Sequence, residues 1–240
     1  MLALGIETAT PQSSVCLSTE HGLVASAALA RGRAHAEFLT PAIQFCLRNA
    51  NLGLDAVSGV AVGLGPGLFT GLRIGIATAQ TIAHARRLPV IGLASLDLLA
   101  FQGRHARRLT CGVIDARRGE LFWAFYRPVP GGMQRMTEYR VGPPGKLAGE
   151  IEAVPDDVLC IGDGAVANRS LLESTGAEVS STSNAFPSAE ALVELALPRF
   201  IREETQRPEA LVPIYVRKAD ARINWRNRGA LYGGVGPNGR

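Results

Sequence analysis

This sequence predicts an α/β fold of two lobes, each carrying a βββαβα repeat, and three observations predict it. Apolar runs of strand length alternate with stretches of helical period. The second half of the chain repeats the element order of the first. Two local echoes mark that repeat: Ile6-Glu7 and Ile114-Asp115 each lead into a hairpin, and Gly65-Pro66-Gly67 and Gly162-Asp163-Gly164 each follow a buried strand.

Residues 2–7, 13–20 and 22–29 read as an antiparallel meander, broken at Thr10-Pro11-Gln12 and at His21-Gly22. From Ala34 to Ala50, Leu39, Ile43, Cys46, Leu47 and Ala50 recur at helical spacing, and Pro41 is expected to kink that helix by denying Glu37 a hydrogen bond. Residues 57–64 form an apolar run suited to a buried parallel strand. A helix over Thr70 to Arg87 and a strand over 89–93 follow it. In the second half, strands are read at 109–115, 119–127, 133–141, 158–162 and near 177–182, with helices at 144–153, 164–175 and 188–204. VPIYVRK at 212–218 reads as one more strand. The lobes are expected at 1–103 and 104–218, with residues 219–240 a flexible basic tail.

The 240 residues allow one large domain or two small ones, and 47% hydrophobic against 19% charged residues excludes a disordered chain. Cys16, Cys46, Cys111 and Cys160 lie far apart among apolar neighbours, the pattern of reduced thiols in a cytoplasmic protein. The opening MLALGIET has no basic stretch before Glu7, so no secretory signal is expected, and the longest uncharged run, Ala56 to Leu72, is too short for a membrane span. A net charge of +4 is concentrated: residues 217–228 hold Arg217, Lys218, Arg222, Arg226 and Arg228 against Asp220, and the rest of the chain is balanced. That segment either touches nucleic-acid phosphates or is simply solvated.

Gly63-Leu64-Gly65-Pro66-Gly67-Leu68-Phe69-Thr70-Gly71 is the strongest local feature. A glycine-rich strand-to-helix turn either lets backbone N–H groups reach an anion, with Gly65, Gly67 and Thr70 as weak nucleotide-binding candidates, or is a tight turn only. It is neither a P-loop nor a dinucleotide fingerprint. In the following helix Gly71, Gly75, Ala79 and Ala83 recur every four residues, a stripe without bulk that fits either the protein's own sheet or a partner helix. Glu7 and Asp115 end equivalent strands, where paired acids bind metal, act as bases, or organise their own turns. Arg104, Arg107, Arg108, Arg117 and Arg118 either meet phosphates or face water. His21, His35, His84 and His105 have no metal-ligand spacing, and no G-x-S-x-G elbow occurs, so no catalytic or metal-binding residue is assigned.

Together GIETAT at 5–10, HAEFLTP at 35–41, GLGPGLFTGLRIGIATAQ at 63–80, IDARRGELFWAFY at 114–126 and PIYVRK at 213–218 resemble the TsaB (YeaZ) family in order and spacing over about residues 1–218. The resemblance implies the actin, hexokinase and heat-shock ATPase fold class, a ribonuclease H-like repeat. It implies a non-catalytic subunit that binds the transferase TsaD and works with the ATPase TsaE to place threonylcarbamoyl on the adenosine beside the anticodon of tRNA. Nucleotide and metal are then expected on those partners, none on this chain, with a homodimer when the chain is isolated. By the same resemblance the partner face is expected at His35, Phe38, Leu39, Ala42, Ile43, Gly71, Arg73, Gly75, Ala79 and Ala83. Two departures from the catalytic relatives stand out. Ser95 and Leu99 occupy the place of TsaD's histidine pair, and Glu7-Thr8-Ala9-Thr10 replaces the D-x-G-T phosphate loop of ATPases of this class. The alternative is an active ATP-dependent kinase or transferase of the same fold class using Glu7 and Asp115.

Overall fold

The computed structural model describes residues 1–32 and 34–216. Strands β1 (Ala3–Glu7), β2 (Gln12–Thr19) and β3 (Gly22–Ala30) form the expected meander, followed by α1 (His35–Asn49), β4 (Gly59–Gly63), α2 (Phe69–Arg86) and β5 (Val90–Leu93). Helix α1 continues through Pro41. Next come α3 (Ser95–Gln102), β6 (Leu109–Arg117), β7 (Glu120–Val129), β8 (Gly132–Arg135), β9 (Arg140–Gly142), α4 (Pro144–Glu152) and β10 (Val158–Ile161). The chain then forms α5 (Asp163–Ala167), α6 (Arg169–Glu173), β11 (Glu178–Val179) and α7 (Ala189–Ile201).

The first sheet runs β3-β2-β1-β4-β5, with β2 and β3 antiparallel and the β1-β4-β5 part parallel. The second runs β8-β7-β6-β10-β11, repeating the five strands of the first, with β9 added beside β7. Alternation places the side chains. Leu4 and Ile6 of β1 face α1 and α2, whereas Ala3 joins Ile91, Leu192 and Val193 on the opposite side. Gly5 is small because α7 crosses there; a Cβ would lie 2.6 Å from the Val193 side chain. Helix α7 starts where Ser188 caps the Ala191 N–H at 3.2 Å, and it packs on the first sheet although it follows the second in sequence.

Four readings change. Helix α3 is absent from the sequence reading because it carries no amphipathic period: Ser95, Leu96, Leu98, Leu99, Ala100 and Phe101 are all buried. Leu98 and Phe101 pack with the first sheet and α7, while Leu96, Leu99 and Ala100 pack against Ile114, Ala124 and Tyr126 of the second. Residues 164–175 form two short helices, and 133–141 splits into β8 and β9. Within the expected final strand, residues 212–216 are not paired in a sheet; the chain instead runs as a strap held by Ile214 N–H to the Leu64 carbonyl (2.8 Å) and by Gln80 to the Pro208 and Leu211 carbonyls. The tail expected at 219–240 lies outside the described residues.

Asp97 is the polar exception within α3. Its Oδ1 accepts hydrogen bonds from the Tyr126 hydroxyl (2.8 Å) and the Tyr139 hydroxyl (3.0 Å), which tie the central helix to the second sheet and its following loop. Burial raises the Asp97 carboxyl above its ordinary range, opposed by those two donors and by Arg135. A Tyr126→Phe variant should lose about 1 kcal/mol of stability, because one of two tyrosine donors to a half-buried carboxylate disappears. Urea unfolding checks this, and an unchanged midpoint would mean that the contact does not hold α3 in place.

Candidate functional site

The turn after β1 and the glycine-rich turn after β4 close on each other. Leu68 N–H donates to the Ala9 carbonyl at 2.6 Å, the Thr8 hydroxyl donates to the Gly71 carbonyl at 2.8 Å, and Ser95 N–H donates to the Gly65 carbonyl at 2.7 Å. These approaches explain the glycines. A Cβ on Gly67 would come 2.1 Å from the Ala9 carbonyl oxygen, one on Gly71 2.1 Å from the Thr8 carbonyl oxygen, and one on Gly75 2.2 Å from Thr8 Oγ1. Gly65 also holds φ at +87°. So Gly65 and Gly67 serve a tight turn filled by the chain's own backbone. Thr70 stands apart, exposed on the first turn of α2 beside a cleft of about 1270 Å³.

Glu7 is completely buried, and both its oxygens are engaged. Oε1 accepts from the Ala9 N–H at 2.7 Å and Oε2 from the Ser95 hydroxyl at 2.9 Å. Burial pushes its pKa up to about 7, against the opposing pull of those donors. Asp115 receives the Arg117 backbone N–H at 2.7 Å and its guanidinium at 3.1 Å. Asp163, raised to about 6 mainly by burial, accepts from the Asp115 and Gly164 N–H groups. Each acid thus organises its own turn. Arg104 and Arg108 pair with Glu194 and Glu178.

The helix pair requires a correction. Ala79 and Ala83 are 0% exposed in the single chain, and Gly71, Gly75, His35, Leu39, Ala42 and Ile43 are buried with them. The small-residue stripe packs under the first sheet and against Thr8, and His35 is hydrogen-bonded through Nδ1 to Ser13 Oγ (2.6 Å). Because a helix buries the stripe that faces its own sheet, that stripe offers a partner nothing. Of the expected interface residues only Arg73 is exposed and Phe38 half-buried. The exposed residues of the pair include Glu37, Pro41, Gln44, Phe45 and Arg48 on α1 and Arg73, Ala77 and Thr81 on α2, with Ile74, Thr78 and Ile82 half-buried. Phe45 is 50% exposed. The polar-face positions of α1 carried the signal: a phenylalanine there breaks an otherwise hydrophilic side.

Among the described residues no three His, Cys, Asp or Glu side chains gather as a metal-binding group, and no helix is long and apolar enough to cross a membrane.

A family model described as TsaD, tRNA N6-adenosine threonylcarbamoyltransferase, matches residues 17–225. The chain is 35% identical over 221 residues to an uncharacterised protein of Mycobacterium tuberculosis, covering 91% of this chain and 93% of that one. With the tRNA threonylcarbamoyladenosine biosynthesis protein TsaB of Escherichia coli it shares 31% identity over 221 residues, 90% of this chain and 95% of the relative. Among solved structures, YeaZ from Pseudomonas aeruginosa aligns with a TM-score of 0.78 at 31% identity, covering 89% of this chain and 99% of that one. An activator of 2-hydroxyisocaproyl-CoA dehydratase from Clostridium difficile aligns at a TM-score of 0.50 and 10% identity over 85% of this chain and 96% of its own, a likeness of fold alone. The repeated sheets and these neighbours give the expected two-lobed actin- and heat-shock-ATPase-like class.

Glu7 makes a pH prediction. Its folded pKa of about 7 lies above the ordinary 4.5, so its contribution is fully present below about pH 4.5 and is lost as pH rises through 7. The loss is on the order of 3 kcal/mol. Glu7→Gln keeps the Ala9 contact through its Oε1 and donates from Nε2 to the Ser95 hydroxyl without a charge, so between pH 5 and 8 the wild type should weaken by about 2–3 kcal/mol more than the variant, as read from urea midpoints.

Proposed function

The chain belongs to the TsaB (YeaZ) family and has a role in tRNA threonylcarbamoyladenosine biosynthesis, and from that premise we propose that it is the non-catalytic subunit that docks and orders a TsaD-like transferase. The docking face is the outward side of α1 and α2, centred on Phe45, Pro41 and Ala77. The observation that carries this reading is the exposure of a large aromatic side chain on a helix pair whose own packing needs are already met beneath it. Desolvating such a face against a second helix pair supplies affinity without any reacting group.

A non-catalytic role is supported by the turns at the head of the fold. Where catalytic relatives are expected to offer an acid and a histidine pair, Glu7 is satisfied internally, and Ser95 and Leu99 are both buried. Nucleotide and metal chemistry then rests with the TsaD-like and TsaE-like partners, tRNA is reached through the complex, and the reaction is cytoplasmic. Without its partner, the same outward face pairs two copies of this chain.

The test is co-purification with a TsaD-like subunit. Phe45→Glu combined with Ala77→Glu should abolish stoichiometric capture while leaving the unfolding midpoint within about 0.5 kcal/mol of wild type, since both sites are exposed. Ala79→Leu should instead destabilise the fold by about 1–3 kcal/mol through overpacking against the sheet. Full capture by the doubly charged variant would refute the docking face.

A further inference from the structure

Phe69 and Tyr215 are 52% and 58% exposed, and their rings lie 6.2 Å apart at an interplanar angle of 35°. The Arg73 guanidinium stacks 3.9 Å over the centre of the Phe69 ring. Phe69 therefore sits in one cluster with Tyr215 and Arg73 on the flank of α2 where the strap runs. Phe69 also lines the 1270 Å³ cleft, together with Arg31, Arg117 and, as the acid among them, Glu37. Neither Arg31 nor Arg73 has a carboxylate partner among the described residues, and Arg117 is paired with Asp115.

We propose that this platform binds an unpaired stretch of RNA, a base stacking on Phe69 and Tyr215 while Arg31 and Arg73 meet the flanking phosphates. Every base offers a π-face, so an exposed aromatic pair bordered by guanidinium groups suits a single strand more than a duplex, whose bases are already stacked. Charge complementarity points the same way beyond the strap. Within two residues of Tyr215 the sequence enters the segment 217–228, with five basic residues against Asp220. This inference rests on the threonylcarbamoylation reading, because a chain that assists modification of a tRNA adenosine works beside unpaired nucleotides.

The experiment is fluorescence anisotropy of the full chain with an unmodified anticodon stem–loop RNA, with a fully paired RNA of the same length as control, across a salt series. The loop should bind more tightly than the duplex. Phe69→Ala and Tyr215→Ala should each weaken loop binding about tenfold with little change in salt slope. Arg31→Gln should reduce the log–log salt slope by about 0.7, the loss of one phosphate contact to a single strand. Both aromatics are more than half exposed, so truncation leaves the fold in place, and the variants should still capture a TsaD-like subunit. No binding by the wild type, equal binding of loop and duplex, or wild-type affinity in both aromatic variants would each overturn the proposal. Loss of TsaD capture by Phe69→Ala with RNA affinity intact would also overturn it, assigning the patch to a protein. The docking reading is judged separately by the Phe45 and Ala77 charges.

Discussion

One buried helix holds this molecule together. Helix α3 lies between the two sheets with Leu96, Leu98, Leu99 and Phe101 all at or below 5% exposure, and each such side chain contributes about 1.5–3 kcal/mol of gross burial. Two polar side chains of its first turn carry the ties to the rest of the fold. Ser95 holds the Gly65 carbonyl with its N–H and Glu7 with its hydroxyl, and Asp97 receives two tyrosines from the second sheet. The glycine-rich turn after β4, the end of β1 and the second sheet therefore hang on two residues of one short helix.

That arrangement decides what the cleft end of the first sheet is available for. In the chain as folded, the groups nearest the two turns bond to each other: Ala9 takes up the approach that Gly67 allows, and Thr8 takes up the approach that Gly71 and Gly75 allow. Glycines that look like an anion cradle in a one-dimensional pattern can equally be the space for a neighbouring strand end. Here the second use accounts for all three close approaches, and it also explains why α2 sits tightly enough on the sheet to leave its opposite face for other contacts.

Most of the architecture was legible because it rests on period and punctuation. The strand meander, both crossovers and the internal duplication follow from alternation, helical spacing and two echoing turns, and the second sheet repeats the five strands of the first. Helix α3 was not legible for the reason that makes it central: a helix buried on every side has no polar face, so its sequence, SLDLLAFQ, carries no moment. Residues 212–216 of the strap were misread as part of a strand because β-branched residues and proline fit an extended chain that bonds to the 64 carbonyl as well as one that joins a sheet. The stripe of small residues was correctly seen and assigned to the wrong side. Sequence spacing tells which residues share a helix face, and only packing tells whether that face points in or out.

The distinction matters for how function is divided in this chain. A buried small-residue stripe fixes how closely α2 approaches its own sheet, and through that the height at which Phe69, Arg73 and Ala77 stand above the surface. Bulk at Ala79 would alter the outward face only by lifting the whole helix, so its effects on any partner pass through stability. Phe45, Phe69 and Tyr215 carry no such structural duty, since more or about half of each ring stays in water. Large aromatic surface kept wet in a monomer, on elements whose inner faces are fully packed, is the property expected of contact residues, and in this fold it occurs on two separate flanks of the same helix pair. The proposed docking flank centres on Phe45 and the proposed RNA flank on the arginines beside Phe69, and the small-residue stripe buried beneath α2 sets how that helix sits on the sheet under both.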